Sequence, residues 1–291
     1  MSGIKLNERV LPTDRWSARI VSPVDISNDI DPVKYGPVVM FHPGWGKSPE
    51  RYARLLYRMA DSGILPIGID TRYAYSDRQQ PRSNILAQHK TVGTSNPYFK
   101  INGKVENRLE YRRSTVALDI QRRLGINGAS QVGYSEGGRI AAQVAIETKD
   151  APSLVIINGA GTGDSSHGFR RMARSNLNRI TEMLKGNLDV PDLIGSSLGS
   201  TVYTLSHLRR TVGEKRVIQK ADTWGMLDLF KDSVTSVAVL QATNDELISF
   251  EDSESASHSR QWVTFEPTPG THSNIHNPYV QDLAIRAIQA A

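Results

Sequence analysis

Apolar residues recur along the chain in short runs: Arg19-Ile20-Val21, Pro37-Val38-Val39-Met40-Phe41, Ile64-Leu65-Pro66-Ile67-Gly68-Ile69, Gln131-Val132-Gly133, Ser153-Leu154-Val155-Ile156-Ile157, Val237-Ala238-Val239-Leu240 and Trp262-Val263-Thr264-Phe265. Each run is β-rich and bounded by turn residues, and so reads as a strand. Between the strands, apolar positions return at helical spacing over 52–60, 138–146 and 279–288. Alternating strands and helices imply a mostly parallel central sheet with helices on both faces. The expected fold class is α/β.

Two stretches are too long to be simple connections. One, from 71 to about 107, is polar and proline-containing; the other, 163–232, has helix-like pieces broken by glycines and Pro191. The expected organisation is a core of 1–162 and 233–291, a polar insertion at about 71–107, and a helical cap or lid at 163–232. Segments that follow strand carboxyl ends border the ligand crevice of an open α/β sheet, so both insertions are candidates for the walls of a site.

The sharpest chemical signal is Gly133-Tyr134-Ser135-Glu136-Gly137-Gly138, between the strand at Gln131-Val132 and a helix-forming run that begins at Arg139. G-x-S-x-G in a strand-to-helix turn is a nucleophile elbow, in which the glycines leave room for a serine pushed out at a helix N-terminus. Asp245 follows the strand at Val237-Ala238-Val239-Leu240, and His272 follows the strand at Trp262-Val263-Thr264-Phe265, giving the chain order Ser, Asp, His. A serine hydroxyl is a weak nucleophile until a neutral imidazole accepts its proton. A carboxylate is then needed to hold that imidazole in the right tautomer.

This ordered set resembles the α/β-hydrolase superfamily over most of the chain, and the form Gly-Tyr-Ser-Glu-Gly-Gly is similar to esterases and to dienelactone-hydrolase-like or prolyl-peptidase-like members. The resemblance implies an α/β-hydrolase fold, with Ser135 as nucleophile, His272 as general base and Asp245 as its orienting acid. It also gives meaning to Phe41-His42-Pro43-Gly44-Trp45-Gly46-Lys47, because family members carry a His-Gly turn whose next backbone N–H helps form the oxyanion hole. Pro43 interrupts that pair here, and Gly44-Trp45 best fits the turn. The implied donors are the backbone N–H groups of Trp45 and Glu136.

Other residues compete for these roles. Among the seven histidines, His42 sits in the oxyanion turn, His89, His167 and His207 fall in the insertions, and His258 precedes the last strand. His276 is the serious rival, but His272 lies nearer the strand exit and is favoured. Glu246 and Asp252 compete with Asp245, which lies nearest its strand end.

The implied function is carboxylic-ester hydrolysis through an acyl-enzyme. Peptidase, amidase or acyltransferase chemistry by the same triad is the runner-up, since fold and triad do not fix the substrate. From another class, the alternative is a non-catalytic ligand-binding protein on the same fold. No cofactor is expected. The chain has no cysteine, no His-Glu-x-x-His and no phosphate-binding glycine fingerprint, so no metal is expected either.

Net charge is +5, and between Thr71 and Ser114 nine basic residues face three acidic ones. Tyr73, Tyr75, Tyr98, Phe99 and Tyr111 are interleaved among them, which suits an anionic or sugar-containing ligand, although a solvated surface is the simpler reading. The substrate expected is a small or acylated molecule, with nucleic acid disfavoured. No apolar run reaches signal-peptide or membrane-spanning length, so the expectation is a cytoplasmic protein without a membrane partner.

Overall fold

Strand and helix placement follow from which faces each segment can bury. The computed structural model describes residues 6–12, 17–26, 36–70, 100–101, 104–105, 108–164, 222–229, 231 and 234–291. The strands of the main sheet are β1 (Asn7–Pro12), β2 (Ser17–Ser22), β3 (Val38–His42), β4 (Leu65–Asp70), β7 (Ser130–Tyr134), β8 (Ala151–Ile157), β9 (Val234–Ala242) and β10 (Val263–Thr268). β5 (Lys100–Ile101) and β6 (Lys104–Val105) form a separate antiparallel pair. The helices are α1 (Ala53–Asp61), α2 (Arg108–Arg123), α3 (Glu136–Thr148), α4 (Thr223–Leu229), α5 (Phe250–His258) and α6 (Pro278–Gln289).

The eight-stranded sheet has the order β1-β2-β4-β3-β7-β8-β9-β10. β1, β2 and β4 pair antiparallel, and from β4 to β10 every pairing is parallel. Both faces of the central strands are covered. On β8, Leu154 and Ile156 pack with α3 and α4 residues such as Ala142 and Trp224, while Val155 and Ile157 pack with Val280 and Ala284 of α6 on the opposite face. On β3, Met40 meets Ile120 of α2 and Val144 of α3, and Phe41 meets Leu56 of α1. Alternate residues of one continuous apolar run thus serve two cores, which is why these strands show little polar alternation.

Each strand read from the sequence is present within a residue or two at either end, except that β9 starts three residues earlier, at Val234, and β10 ends three residues later, at Thr268. β1, the β5–β6 pair, α2 and α5 are not among the elements that the sequence predicts. Most of the expected cap, 163–232, lies outside the described residues, as does most of the 71–107 insertion; α4, which falls in the expected cap range, packs Trp224, Met226 and Leu227 with residues of β8 and β9. No helix among the described residues is long and apolar enough to cross a membrane.

Candidate active site

The chain runs from β3 outward to β4, then returns to place β7 on the other side of β3. This reversal opens a crevice beyond the carboxyl ends of β3 and β7, the usual ligand position in an open α/β sheet. Ser135 occupies it, directly after β7.

The local sequence dictates the turn. Ser135 has φ 56° and ψ −123°, a left-handed conformation costing a non-glycine residue about 1–3 kcal/mol. A Cβ on Gly133 would run into the Gly137 backbone, and one on Gly137 would run into the carbonyls of His42 and Pro43. Only glycine therefore lets the turn close and seat against the loop after β3. Ser135 N donates to Ile157 O at 2.9 Å, and Ser135 O accepts from the amides of Gly138 and Ala160, each at 3.0 Å. These bonds fix the strained residue from β8 and from the start of α3.

Ser135 Oγ lies 3.0 Å from His272 Nε2, and His272 Nδ1 lies 2.8 Å from Asp245 Oδ2. A carboxylate only accepts, so Nδ1–H donates to Asp245 and leaves the Nε2 lone pair facing the serine hydroxyl. The other acceptor sites of Asp245 are also occupied. Its Oδ1 takes the amides of Leu247 at 2.8 Å and Ile248 at 3.0 Å, and its Oδ2 also takes Gln241 Nε2 at 3.0 Å. Four donors use the four lone-pair positions of one buried carboxylate and hold its orientation.

The rivals fall elsewhere. Glu246 accepts the His272 backbone amide at 3.1 Å and so grips the loop rather than the ring. Asp252 accepts from the amide of Asp164 at 3.3 Å near the start of α5. His276 is exposed and stacks on Tyr52, with ring centroids 5.7 Å apart. His258 is exposed at the last turn of α5. His42 is buried, with Nε2 2.9 Å from Gln131 Oε1, and burial lowers its pKa from the ordinary 6.5 to about 4. Gln131 Nε2 donates to Ala129 O at 2.9 Å, so its Oε1 is the atom facing His42, whose Nε2–H is the donor. His89, His167 and His207 lie outside the described residues.

Gly44 lies so close to the elbow that a Cβ there would stand 3.3 Å from Ser135 Cβ. The amides of Trp45 and Glu136 therefore belong to the two backbone segments that meet at Ser135. The Glu136 side chain is buried, with Oε2 2.5 Å from Arg113 Nη1 of α2. Its negative charge at the first turn of α3 also suits the helix dipole. This corrects the sequence reading in one respect: Arg113 was counted in a basic surface segment, yet it is buried against an acidic partner. The remainder of that segment is outside the described side chains.

Several contributors were not anticipated from sequence. Tyr134 Oη and Asn158 Nδ2 both donate to His272 O at 2.8 Å, and Gln241 reaches Asp245. Two of these carried a faint signal, because Gln241 is a buried polar residue near the end of the apolar β9 and Asn158 is polar at the exit of the apolar β8. Among the described residues no cluster of metal-ligating side chains occurs.

This sheet, with its elbow at the β3/β7 reversal, is the α/β-hydrolase fold, and solved structures share it across nearly the whole chain. A membrane phospholipase A described as a novel bacterial virulence factor superposes with a TM-score of 0.67 at 14% identity, covering 99% of this chain and 88% of that one. The thioesterase domain from the curacin biosynthetic pathway gives 0.58 at 12%, covering 98% and 99%. A structure from work on carboxylesterases of the ammonia-oxidizing thaumarchaeon Nitrososphaera gargenis gives 0.61 at 12%, covering 97% and 98%. No protein-family model and no curated protein sequence matches the chain.

Proposed function

We propose that the protein is a serine hydrolase that cleaves carboxylic esters through an acyl-enzyme. The observation that carries this reading is the continuous relay from Ser135 Oγ to His272 Nε2 at 3.0 Å and from His272 Nδ1 to Asp245 at 2.8 Å. Ser135 Oγ attacks the ester carbonyl carbon as His272 Nε2 takes its proton, and Asp245 stabilises the imidazolium that forms. Collapse of the tetrahedral intermediate breaks the carbonyl–alkoxy bond, and His272 returns the proton to the departing alcohol. Water, deprotonated by His272, then cleaves the acyl–Ser135 ester, releasing the acid and restoring the hydroxyl.

The carbonyl oxygen gains negative charge at each tetrahedral stage. The backbone amides of Trp45 and Glu136 are the assigned donors to it, and removal of one such donor typically costs about 3–4 kcal/mol of barrier. The three structural neighbours are a phospholipase A, a thioesterase domain and a structure from work on carboxylesterases. Each activity transfers an acyl group to water, which supports acyl transfer over other chemistry on this fold.

The test is hydrolysis of p-nitrophenyl esters of increasing chain length by wild type and Ser135→Ala, with mass detection of a fluorophosphonate adduct. Turnover and a single adduct in wild type, both lost in the variant, are expected. A folded wild type that neither turns over nor labels would sink the proposal and favour a ligand-binding role for the fold.

A further inference from the structure

The base is held from behind by a residue with no place in the relay. Asn158 follows β8, is fully buried, and adopts φ 48°, a left-handed conformation that asparagine tolerates better than most residues. Its side-chain hydrogen-bonding groups reach three partners. Nδ2 donates to His272 O and to Asn274 Oδ1, each at 2.8 Å, and Oδ1 accepts from the amide of Ala242 at 2.8 Å. Its own amide donates to Leu240 O at 2.9 Å. One side chain thus joins the exit of β8 to the end of β9, three residues before Asp245, and to the loop carrying His272.

Tyr134, the residue before the nucleophile, completes the arrangement by donating its hydroxyl to the same His272 carbonyl at 2.8 Å. Burial pushes the Tyr134 phenol well above its ordinary pKa, so it remains a donor across the working range of a histidine base. The carbonyl of the base is therefore referenced to the nucleophile's own strand and, through Asn158, to the strand of the acid.

We propose that Asn158 is a positioning residue, with Tyr134 as its partner, that sets the His272 imidazole in register between Ser135 and Asp245. The proposal rests on the serine-hydrolase reading above. Asparagine is required because the position needs two donated hydrogens and one acceptor from a short side chain. Aspartate has the shape but, when ionised, turns both donated bonds into oxygen–oxygen repulsions. Glycine keeps the backbone conformation and removes all three contacts.

The test uses the full chain with Asn158→Gly, Asn158→Asp and Tyr134→Phe, and kcat is taken per site titrated with a fluorophosphonate so that misfolded protein does not count. Misplacing a catalytic group by about 1 Å costs up to about 100-fold, so Asn158→Gly is expected to lower kcat about 10- to 100-fold with KM changed less than about threefold. Tyr134→Phe, which leaves Asn158 in place, is expected to shift kcat in the same direction by a smaller factor. Asn158→Asp is expected to lower kcat and also to move the acid limb of kcat/KM to higher pH, because an added negative charge favours the imidazolium.

A purely structural role would lower thermal stability but leave kcat per titrated site and the pH profile at wild-type values in all three variants. That result overturns the positioning role while leaving the hydrolase reading intact. A wild type that neither hydrolyses ester nor takes the phosphonate overturns both.

Discussion

Four donors converge on Asp245, and their number separates two kinds of substitution. Asp245→Asn keeps the size of the side chain but presents an amide where an acceptor is needed, so the imidazole is left in the wrong tautomer. The expected loss in kcat is about 10⁴-fold, read from ester turnover, with little change in thermal midpoint. Glu246→Gln still offers a carbonyl oxygen to the His272 amide and is expected to retain kcat within about threefold, since the acceptor, and with it the grip on the His272 loop, is kept. Equal losses in the two variants would mean that the ring's carboxylate partner has been misassigned. Ser135, Asp245 and His272 were legible because each follows a readable strand. Asn158, Tyr134 and Gln241 act through backbone carbonyls or through another side chain, and no sequence spacing encodes such contacts.

His42 carries a pH prediction at the same scale. Its folded pKa of about 4 lies below the unfolded 6.5, so the neutral form stabilises the fold fully above pH 6.5, and that contribution of about 3 kcal/mol is lost as pH falls toward 4. Urea midpoints measured from pH 7 to pH 4 are expected to drop in wild type and to drop less in His42→Gln. Parallel curves for the two proteins would show that His42 does not drive the loss.

The elbow is an element whose geometry depends on the absence of side chains. At Gly137 a methyl group would meet the carbonyls of both His42 and Pro43, backbone atoms that cannot rotate away. Gly137→Ala must separate α3 from the loop after β3, which is the contact that brings the Gly44-Trp45 segment to Ser135. The expected result is a destabilisation of about 1–3 kcal/mol in urea together with lost phosphonate labelling in the protein that remains folded. Undiminished labelling would show that the two segments need not touch. The elbow was legible because its motif is dense in glycine and lies between a clear strand and a clear helix. By contrast, α2 has buried Val116, Ala117 and Ile120 set among arginines, and these masked its apolar face. β1 escaped notice because it is an edge strand with exposed Asn7, Glu8 and Val10, so little of its hydrophobic pattern needs to be continuous.

Across the whole molecule, the site is a product of long-range topology. The Ser135–His272 bond spans 137 positions and the His272–Asp245 bond spans 27, with the three residues carried on loops after β7, β9 and β10. Active-site elements often come from the least stable parts of a fold and open before the rest. Here the opposite is expected. The loops are cross-tied by the buried bonds of Tyr134 and Asn158 to His272, and the elbow is anchored below by the buried Arg113–Glu136 pair. Removing one partner of such a pair by substitution typically costs about 3–5 kcal/mol, because it strands the other charge in the interior. The strands beneath are also covered on both faces, which couples the loops to the sheet. Fluorophosphonate labelling should therefore disappear at the same urea concentration as the far-ultraviolet signal of the sheet. Loss of labelling at clearly lower urea would mean that the catalytic loops form a separately melting unit. The cross-ties would then orient the side chains without coupling them to the global fold.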